Sequence, residues 1–283
     1  MKDTMNTQPS NITATVIADS ISHHNKRITT LQLKYPRFIH SEFMTHRVFS
    51  RNSASSRAIP VAKMIEQVQN DPAMPIYWGL NQPGMQASKE HEDISTAQVW
   101  WKAAAIDAAV SATLLNELGL HKQIVNRVLE PFQWMHTIVT ATEWDNFFEL
   151  RCHPDAQPEF QALACAIRAA MSGSVPVERT SGWQKASSWH IPYVSEEERA
   201  NLHPHTLTKI SAARCARVSY LKHDGSTPSV EDDLTLFERL VGGKPLHASP
   251  IEHQATAASS VASSRNLLGW HQYRELFESG ILK

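Results

Sequence analysis

The sequence predicts an α+β fold, and three observations predict it. β-Branched, alternating text opens the chain between Ala14 and Phe43; several helix-forming stretches follow up to Met171; and a Ser- and Pro-rich passage then leads into a second compact section of helices and loops.

The opening text, "ATVIADSISHHNKRITTLQLKYPRFIHSEF", has strand-like pieces at Thr15–Ile17, Ile28–Leu33 and Phe38–Ile39, interrupted by "HHNK" and Pro36. Two or three strands are expected, with a basic stretch at the exit of the last. A short helix, "VAKMIEQVQ", precedes the Pro- and Gly-containing text "PAMPIYWGLNQPG", read as an irregular excursion. "DISTAQVWWKAAAIDAAVSATLLNELG" is the clearest helix, with Asp93 or Ser95 as its cap and Gly119 at its end. Trp100, Ile106, Val110, Leu114 and Leu118 keep a helical stripe, and the Trp100–Trp101 pair reads as core or subunit contact rather than a stacking platform. A second helix, "KQIVNRVLEPF", stops near Pro131. "FQWMHTIVTATEWDNFFELR" begins as a strand and ends as a helix, "QPEFQALACAIRAAM" is helical, and "NLLGWHQYRELFES" is expected to close the chain as a final helix.

With 283 residues, 42% of them apolar, the chain can bury a core without staples. Lys+Arg 27 against Asp+Glu 28 leaves a formal charge of -1, so neither nucleic acid nor an anionic membrane surface is indicated as a partner, and anion binding has to be local. No window approaches a membrane span. The widely spaced Cys152, Cys165 and Cys215 fit reduced thiols in a cytoplasmic protein. Residues 1–13 are polar and read as a disordered leader, with residues 14–283 as a single domain.

Four constellations carry chemistry. "THRVFSRNSASSR", Thr45–Arg57, gathers three arginines, a histidine, an asparagine and four serines with no acid. Guanidinium forks and hydroxyls of this kind cradle phosphate, although such text also occurs on ordinary surfaces. Arg127 in "NRVLEPF" and Arg151 in "NFFELRCHPD" stand beside apolar text; each is either a salt-bridged residue or one of two cations converging on an anionic or uracil-like ligand. His247, Glu252 and His253 in "HASPIEH" offer metal-ligand types without HExxH spacing, and a loop satisfying its own backbone explains them equally. No metal is expected.

Together these pieces resemble the flavin-dependent thymidylate synthases, the ThyX family. Its signature RHRxxSxNxxSxR is met by "THRVFSRNSASSR" at every fixed position but the first; "NRVLEP" resembles its ARxVLP helix; "FFELRCHPDAQPEFQALA" resembles its LR…AQ segment; and "AARCARVSY" and "HASPIEH" resemble its AARVSY and HxSPFEH elements. In the family the last two precede the signature, so the sequence looks circularly permuted: 14–171 would hold the family's central and C-terminal part, 172–207 a link, and 208–283 its N-terminal part. Such rearrangement is tolerated where termini lie close on the surface.

The resemblance implies an antiparallel sheet packed with helices, a homotetramer with shared sites, and reductive methylation of dUMP at C5 to give dTMP. Methylenetetrahydrofolate would be the one-carbon donor, FAD the cofactor and NADPH the reductant; no cysteine nucleophile is required. It also implies Arg151 as the catalytic residue against the pyrimidine, with Arg127, Ser53, Ser55, Ser56, Arg57 and Glu42 around the substrate. Thr45, His46, Arg47, Asn146, Ser219, His247, Ser249 and Glu252 would face the cofactor. Thr45 replaces the signature's first arginine, Ser53 a usual glutamate and Glu42 a glutamine near the substrate phosphate, where Arg51, Arg37 or Lys34 could restore positive charge. Thr140 and Thr142 replace an asparagine and an arginine that usually touch FAD. These departures leave open dCMP as substrate, a hydroxymethyl product, or a non-catalytic flavin- or nucleotide-binding relative. A metal-dependent hydrolase on His247, Glu252 and His253 is a remote rival.

Overall fold

A computed structural model of the chain describes residues 11–218 and 228–282. Strands β1 (Thr13–Ser22), β2 (Arg27–Pro36), β3 (Ser50–Ser53), β4 (Trp134–Ala141) and β5 (Val177–Arg179) form one sheet in the order β3-β4-β2-β1-β5. Every pairing is antiparallel except β1 with β5. Strand alternation gives the sheet two faces of different chemistry. Leu31, Leu33, Tyr35 and Val139 point to one, where they pack with Phe43, Phe49 and Phe147 and with Phe160, Leu163 and Ile167 of helix α6 (Pro158–Ser172). Ser20, Thr30, Ser50 and Thr140 point to the other.

Between the strands lie α1 (His40–Phe43), α2 (Val61–Asn70), α3 (Ile94–Glu117), α4 (Lys122–Val125) and α5 (Asp145–Arg151). The expected third strand is absent: Phe38 and Ile39 lie in a 3-10 turn that runs into α1. The ladder stops there because β2 ends in Pro36 and the Arg37 N–H turns to the Gln133 carbonyl. Asp93 caps α3 by accepting from Thr96 N–H, and Gly119 ends the helix at φ 82.

The stripe on α3 faces the opposite way from a core stripe. Ala105, Ala109 and Ala112 are buried against α2, while Trp100, Ile106, Val110, Leu114 and Leu118 are all exposed by half or more. Small side chains let α2 and α3 approach closely, and that contact decides which face turns inward. The Trp100–Trp101 pair is split: Trp101 packs inward and donates to the Ala73 carbonyl, and Trp100 is 70% exposed.

The remainder covers the polar sheet face. β6 (Trp189–His190), α7 (Glu196–Asn201), α8 (Pro204–Ala216), α9 (Val230–Phe237), β7 (Ala255–Ala257), β8 (Ser263–Ser264), β9 (Leu267–Leu268), β10 (Trp270–Gln272) and α10 (Tyr273–Glu278) follow in order. Residues 172–207, read as a link, therefore carry strands and helices, with Trp189 and Ile191 buried in the second core. The final helix is shorter than the sequence suggested: it starts at Tyr273, because Gly269 at φ 76 turns the preceding residues into β9 and β10.

At the other end, order begins ahead of Ala14. Asn11 donates to the Asp71 carboxylate and Ile12 is buried, so the leader reading does not hold for residues 11–13; residues 1–10 lie outside the described residues. Among the described residues no helix is long and apolar enough to cross a membrane.

Candidate active site

The stretch Thr45–Arg57 is not one loop, because its middle is β3, an edge strand whose alternation sends neighbours to opposite faces. Arg51 turns towards the apolar face. Its Nη1 donates to the carbonyls of Phe43 (3.2 Å), Met44 (2.9 Å) and His46 (3.1 Å), closing the C-terminal end of α1. Thr45 Oγ1 donates to the Glu42 carbonyl at 2.7 Å in the same turn. Together they fix the backbone from which His46 and Glu42 project.

His46 is buried among the rings of Phe49, Phe147 and Phe160. Arg151, at the end of α5, donates from Nε to His46 Nε2 at 3.1 Å. An accepting Nε2 puts the ring proton on Nδ1. Burial, and then the charges of Arg151 and Arg51, push the imidazole down to about 4, so it is neutral at physiological pH. The Arg151 guanidinium also lies 4.3 Å over the Phe160 ring and 3.7 Å from Glu42 Oε2. Thus a neutral imidazole, a carboxylate and an aromatic face hold one arginine, which remains 21% exposed.

On this face Ser53 joins a row of hydroxyls. Its Oγ is 2.9 Å from Thr137 Oγ1, which is 2.9 Å from Tyr35 OH, and Tyr35 OH is 2.9 Å from His40 Nδ1. Burial raises the Tyr35 phenol above its ordinary value and lowers His40 to about 4, so the row is neutral.

A second basic group lies at the turn before β4. Arg37 and Arg127 both donate to Glu130 Oε1, each at 2.7 Å, leaving one positive charge in excess among the three side chains. Arg127 is 55% exposed and Arg57 is exposed too. The Arg57 N–H donates to Ser55 Oγ at 3.3 Å, and the Ser56 carbonyl accepts from the buried Asn126 Nδ2 at 2.6 Å. Asn126 directly precedes Arg127, so one amide anchors both strings of candidate residues.

Asn52 takes the opposite face. Its Nδ2 donates to the Cys215 carbonyl at 2.9 Å and its Oδ1 accepts from Ser249 Oγ at 3.1 Å. The "AARCARVSY" and "HASPIEH" segments therefore both meet the signature stretch. Arg214 and Arg217 of the first are occupied elsewhere, on the fully buried Asp233 carboxylate. Arg47, Asn146 and His247 are exposed. Glu252 accepts from Arg274 Nη1 at 2.5 Å. Ser219 lies outside the described residues.

His247, Glu252 and His253 do not converge. His253 is fully buried with Nδ1 2.9 Å from Thr140 Oγ1, Glu252 is paired with Arg274, and His247 is on the surface. Among the described residues no three His, Cys, Asp or Glu side chains gather as a metal site. A cleft of about 400 Å³ lined by Tyr77, Trp78, His91, Asp93 and Trp100 shares none of the residues around Arg151.

Thr140 is enclosed. Its hydroxyl is 2.6 Å from Thr30 Oγ1, which is 2.8 Å from His190 Nε2, and His190 Nδ1 is 3.0 Å from Ser20 Oγ. Thr142 Oγ1 accepts from the Leu268 N–H at 3.0 Å. Segments 253 and 268 thus cover the two positions at which the family resemblance would have placed flavin contacts. Sequence reasoning missed these partners, as it missed Phe160 beneath Arg151; "QPEFQ" read only as the start of a helix.

The chain is of mixed α+β class, with an arginine at the end of α5 held by histidine, carboxylate and phenylalanine. The profile of the thymidylate synthase complementing proteins matches residues 20–177, more than half the chain, and the protein belongs to this family, the ThyX family. Two solved structures are similar in part: a UMP/dUMP methylase PolB from Streptomyces cacaoi bound with 5-Br dUMP (18% identity, TM-score 0.48, covering 58% of this chain and 90% of that one), and the same enzyme bound with 5-Br UMP (17%, 0.46, 58% and 89%). No curated protein matches the sequence.

Proposed function

We propose that the protein is a flavin-dependent enzyme that transfers a one-carbon unit to C5 of a deoxypyrimidine monophosphate, most simply converting dUMP to dTMP. The observation that carries this reading is Arg151: a partly exposed guanidinium oriented by His46, Glu42 and Phe160 within a chain of this family. Aimed at the N3–C4 edge of a pyrimidine, it would favour negative charge there and activate C5 without a covalent enzyme bond. Neutral His46 orients the guanidinium without competing with it for an anion. Arg127, Arg57, Ser55 and Ser56 are read as the phosphate side, supported by the uncompensated charge of the Arg37–Glu130–Arg127 cluster.

The residues suit FAD on one side of the site. Arg47 and Asn146 are exposed next to the His46–Phe147 contact, His247 is exposed on the late segment, and Thr45, Ser249 and Glu252 lie in turns that pack against β3 or its approach. The end of β4 does not offer the same, because Thr140 is enclosed and the Thr142 hydroxyl is taken by the Leu268 N–H. A bound flavin would supply the hydride and one-carbon carrier chemistry, with methylenetetrahydrofolate and NADPH as co-substrates. We also read the chain as circularly permuted, cytoplasmic and homotetrameric. Asn52 bonding to both late segments supports the first, the three free thiols the second, and the exposed apolar side of α3 the third.

Purified protein is expected to be yellow and, with dUMP, methylenetetrahydrofolate and NADPH, to yield dTMP. Protein that takes up no flavin would overturn the reading. Glu42 favours a second reading, since a carboxylate 3.7 Å from Arg151 changes the charge presented to the base or phosphate. Mass spectrometry of products from dUMP and dCMP in parallel separates the two: dTMP from dUMP alone excludes the altered substrate or product.

A further inference from the structure

Away from Arg151, the irregular segment ahead of α3 and the first turns of that helix enclose the cleft of about 400 Å³ lined by Tyr77, Trp78 and Trp100, with His91, Asp93 and Thr96 as its polar lining. Its walls are held by bonds that need no ligand. The Leu80 N–H donates to the Lys89 carbonyl at 2.8 Å and the His91 N–H to the Trp78 carbonyl at 2.7 Å, so residues 78–80 and 89–91 run antiparallel about a Gly79–Glu90 bridge. A Cβ at Gly79 would overlap the Ala87 methyl, and glycine permits that approach. The Ile76 N–H donates to Glu159 Oε1 at 2.8 Å. Trp101 stands edge-on to Trp78, with ring centroids 6.0 Å apart and planes at 87°. A cleft with walls fixed in this way is organised before anything enters it.

We propose that this cleft binds a small organic ammonium ion, held between aromatic side chains and the Asp93 carboxylate. Aromatic rings offer a cation the negative face of their π-systems, and sets of such rings are the usual receptors of quaternary ammonium groups. Asp93 is the one charged side chain among the lining residues, with neither lysine nor arginine beside it there. Its Oδ1 accepts from the Thr96 N–H at 3.0 Å, and that bond holds the carboxyl below its ordinary value, so the group is ionised. His91 Nδ1 accepts from the Asp93 N–H at 3.0 Å. An accepting ring nitrogen belongs to the neutral imidazole, so His91 does not compete with a cation for the carboxylate.

The same charge selects against the other guests of an aromatic cleft. A nucleotide would bring its phosphate to Asp93 and be repelled, and an uncharged ligand would gain nothing from the carboxylate. The volume suits a compact molecule, at the small end of ordinary ligand sites. Trp100 is 70% exposed, so the mouth opens to solvent and a ligand enters without disturbing the core. With Trp100 committed to the cleft, the rest of the α3 stripe, from Ile106 to Leu118, is left for a subunit contact. No lining residue belongs to the group around Arg151, so this site stands or falls separately from the methylation reading.

The test titrates the full chain, labelled with fluorotryptophan, with choline and with dimethylbutanol, the uncharged carbon isostere of choline, and follows fluorine NMR. Trp78→Phe and Trp100→Phe assign the two resonances. Choline is expected to move both saturably, and the isostere to bind about tenfold more weakly, the scale of a cation–π contact with its charge removed. Asp93→Asn removes the charge and keeps a good helix cap, and Trp100→Ala removes an exposed ring without opening the core. Each variant is expected to weaken choline about fivefold, read at Trp78, with the thermal unfolding midpoint checked in parallel. A shift that does not saturate, equal affinity for the two probes, or choline binding unchanged in either variant would overturn the proposal.

Discussion

The two faces of β3 and β4 carry two histidine clusters built on opposite plans. On one face His46 meets Arg151, Arg51 and Glu42 in a site that stays partly open. On the other, His253, Thr140, Thr30, His190 and Ser20 form a buried chain that ends on the Arg179 guanidinium. All three imidazoles are driven towards the neutral form, but for different reasons. Burial acts on His46 together with two cations and on His190 together with Arg179 and Arg199, whereas burial alone lowers His253 to about 3. Charge that stays open to solvent beside a histidine, as Arg151 does, can meet an anion, whereas hydroxyls and a buried arginine closed in around it mark a seam that joins two layers.

The comparison is most easily broken at Arg151. Arg151→Ala is expected to lower the rate of nucleotide methylation by roughly 10²–10³-fold, the scale for losing one charge-stabilising donor, while thermal stability changes little. Parallel kinetics and calorimetry check this, and a collapse in stability at unchanged rate would reverse the assignment of the two faces.

Thr140→Val is the counterpart on the sealed face. It leaves His253 Nδ1 and Thr30 Oγ1 without a shared partner, at a cost of about 1–3 kcal/mol. Urea unfolding is expected to show that loss, with dUMP affinity preserved.

Acid sharpens the contrast. His46, His190 and His253 all have depressed folded-state pKa values, so the unfolded chain binds protons first as pH falls below about 6.5. Their contribution is complete above that pH and is lost on going down, at about 1.4 kcal/mol per pH unit for each such histidine. For His46 the loss ends near 4, and for His253 near 3. Stability measured by denaturant across this range is expected to fall steadily; a flat profile would mean that the histidines are not buried as described.

Glu42→Gln is the smallest change. The pair with Arg151 is long, at 3.7 Å, and Glu42 is 43% exposed, so removing the carboxylate is expected to tighten dUMP binding by no more than about fivefold. Calorimetric titration reads it directly.

The sequence revealed the open face better than the sealed one. His46, Arg47, Ser55, Arg57, Arg127 and Arg151 stand in recognisable local text, because each candidate contact is tied to a short motif. The partners of Thr140 and Asn52 come from far along the chain, and no local periodicity announces a hydrogen bond across such a separation. Helix α3 failed for another reason. Its apolar spacing marks a helix, but spacing does not say which of two non-polar faces turns inward, and three alanines displaced the larger side chains from the core. The two short strands before α10 were hidden by leucine and tryptophan, which suit either state.

Asn52 also has a consequence for how the protein is made. Its carbonyl oxygen waits for Ser249, separated from it by 197 positions. At about 5–20 residues per second, a ribosome needs roughly 10–40 s to produce the missing partner. During that interval the signature strand has been synthesised but its edge is uncovered, so the vectorial order of translation makes this asparagine a late checkpoint, closed only when the far end of the chain arrives.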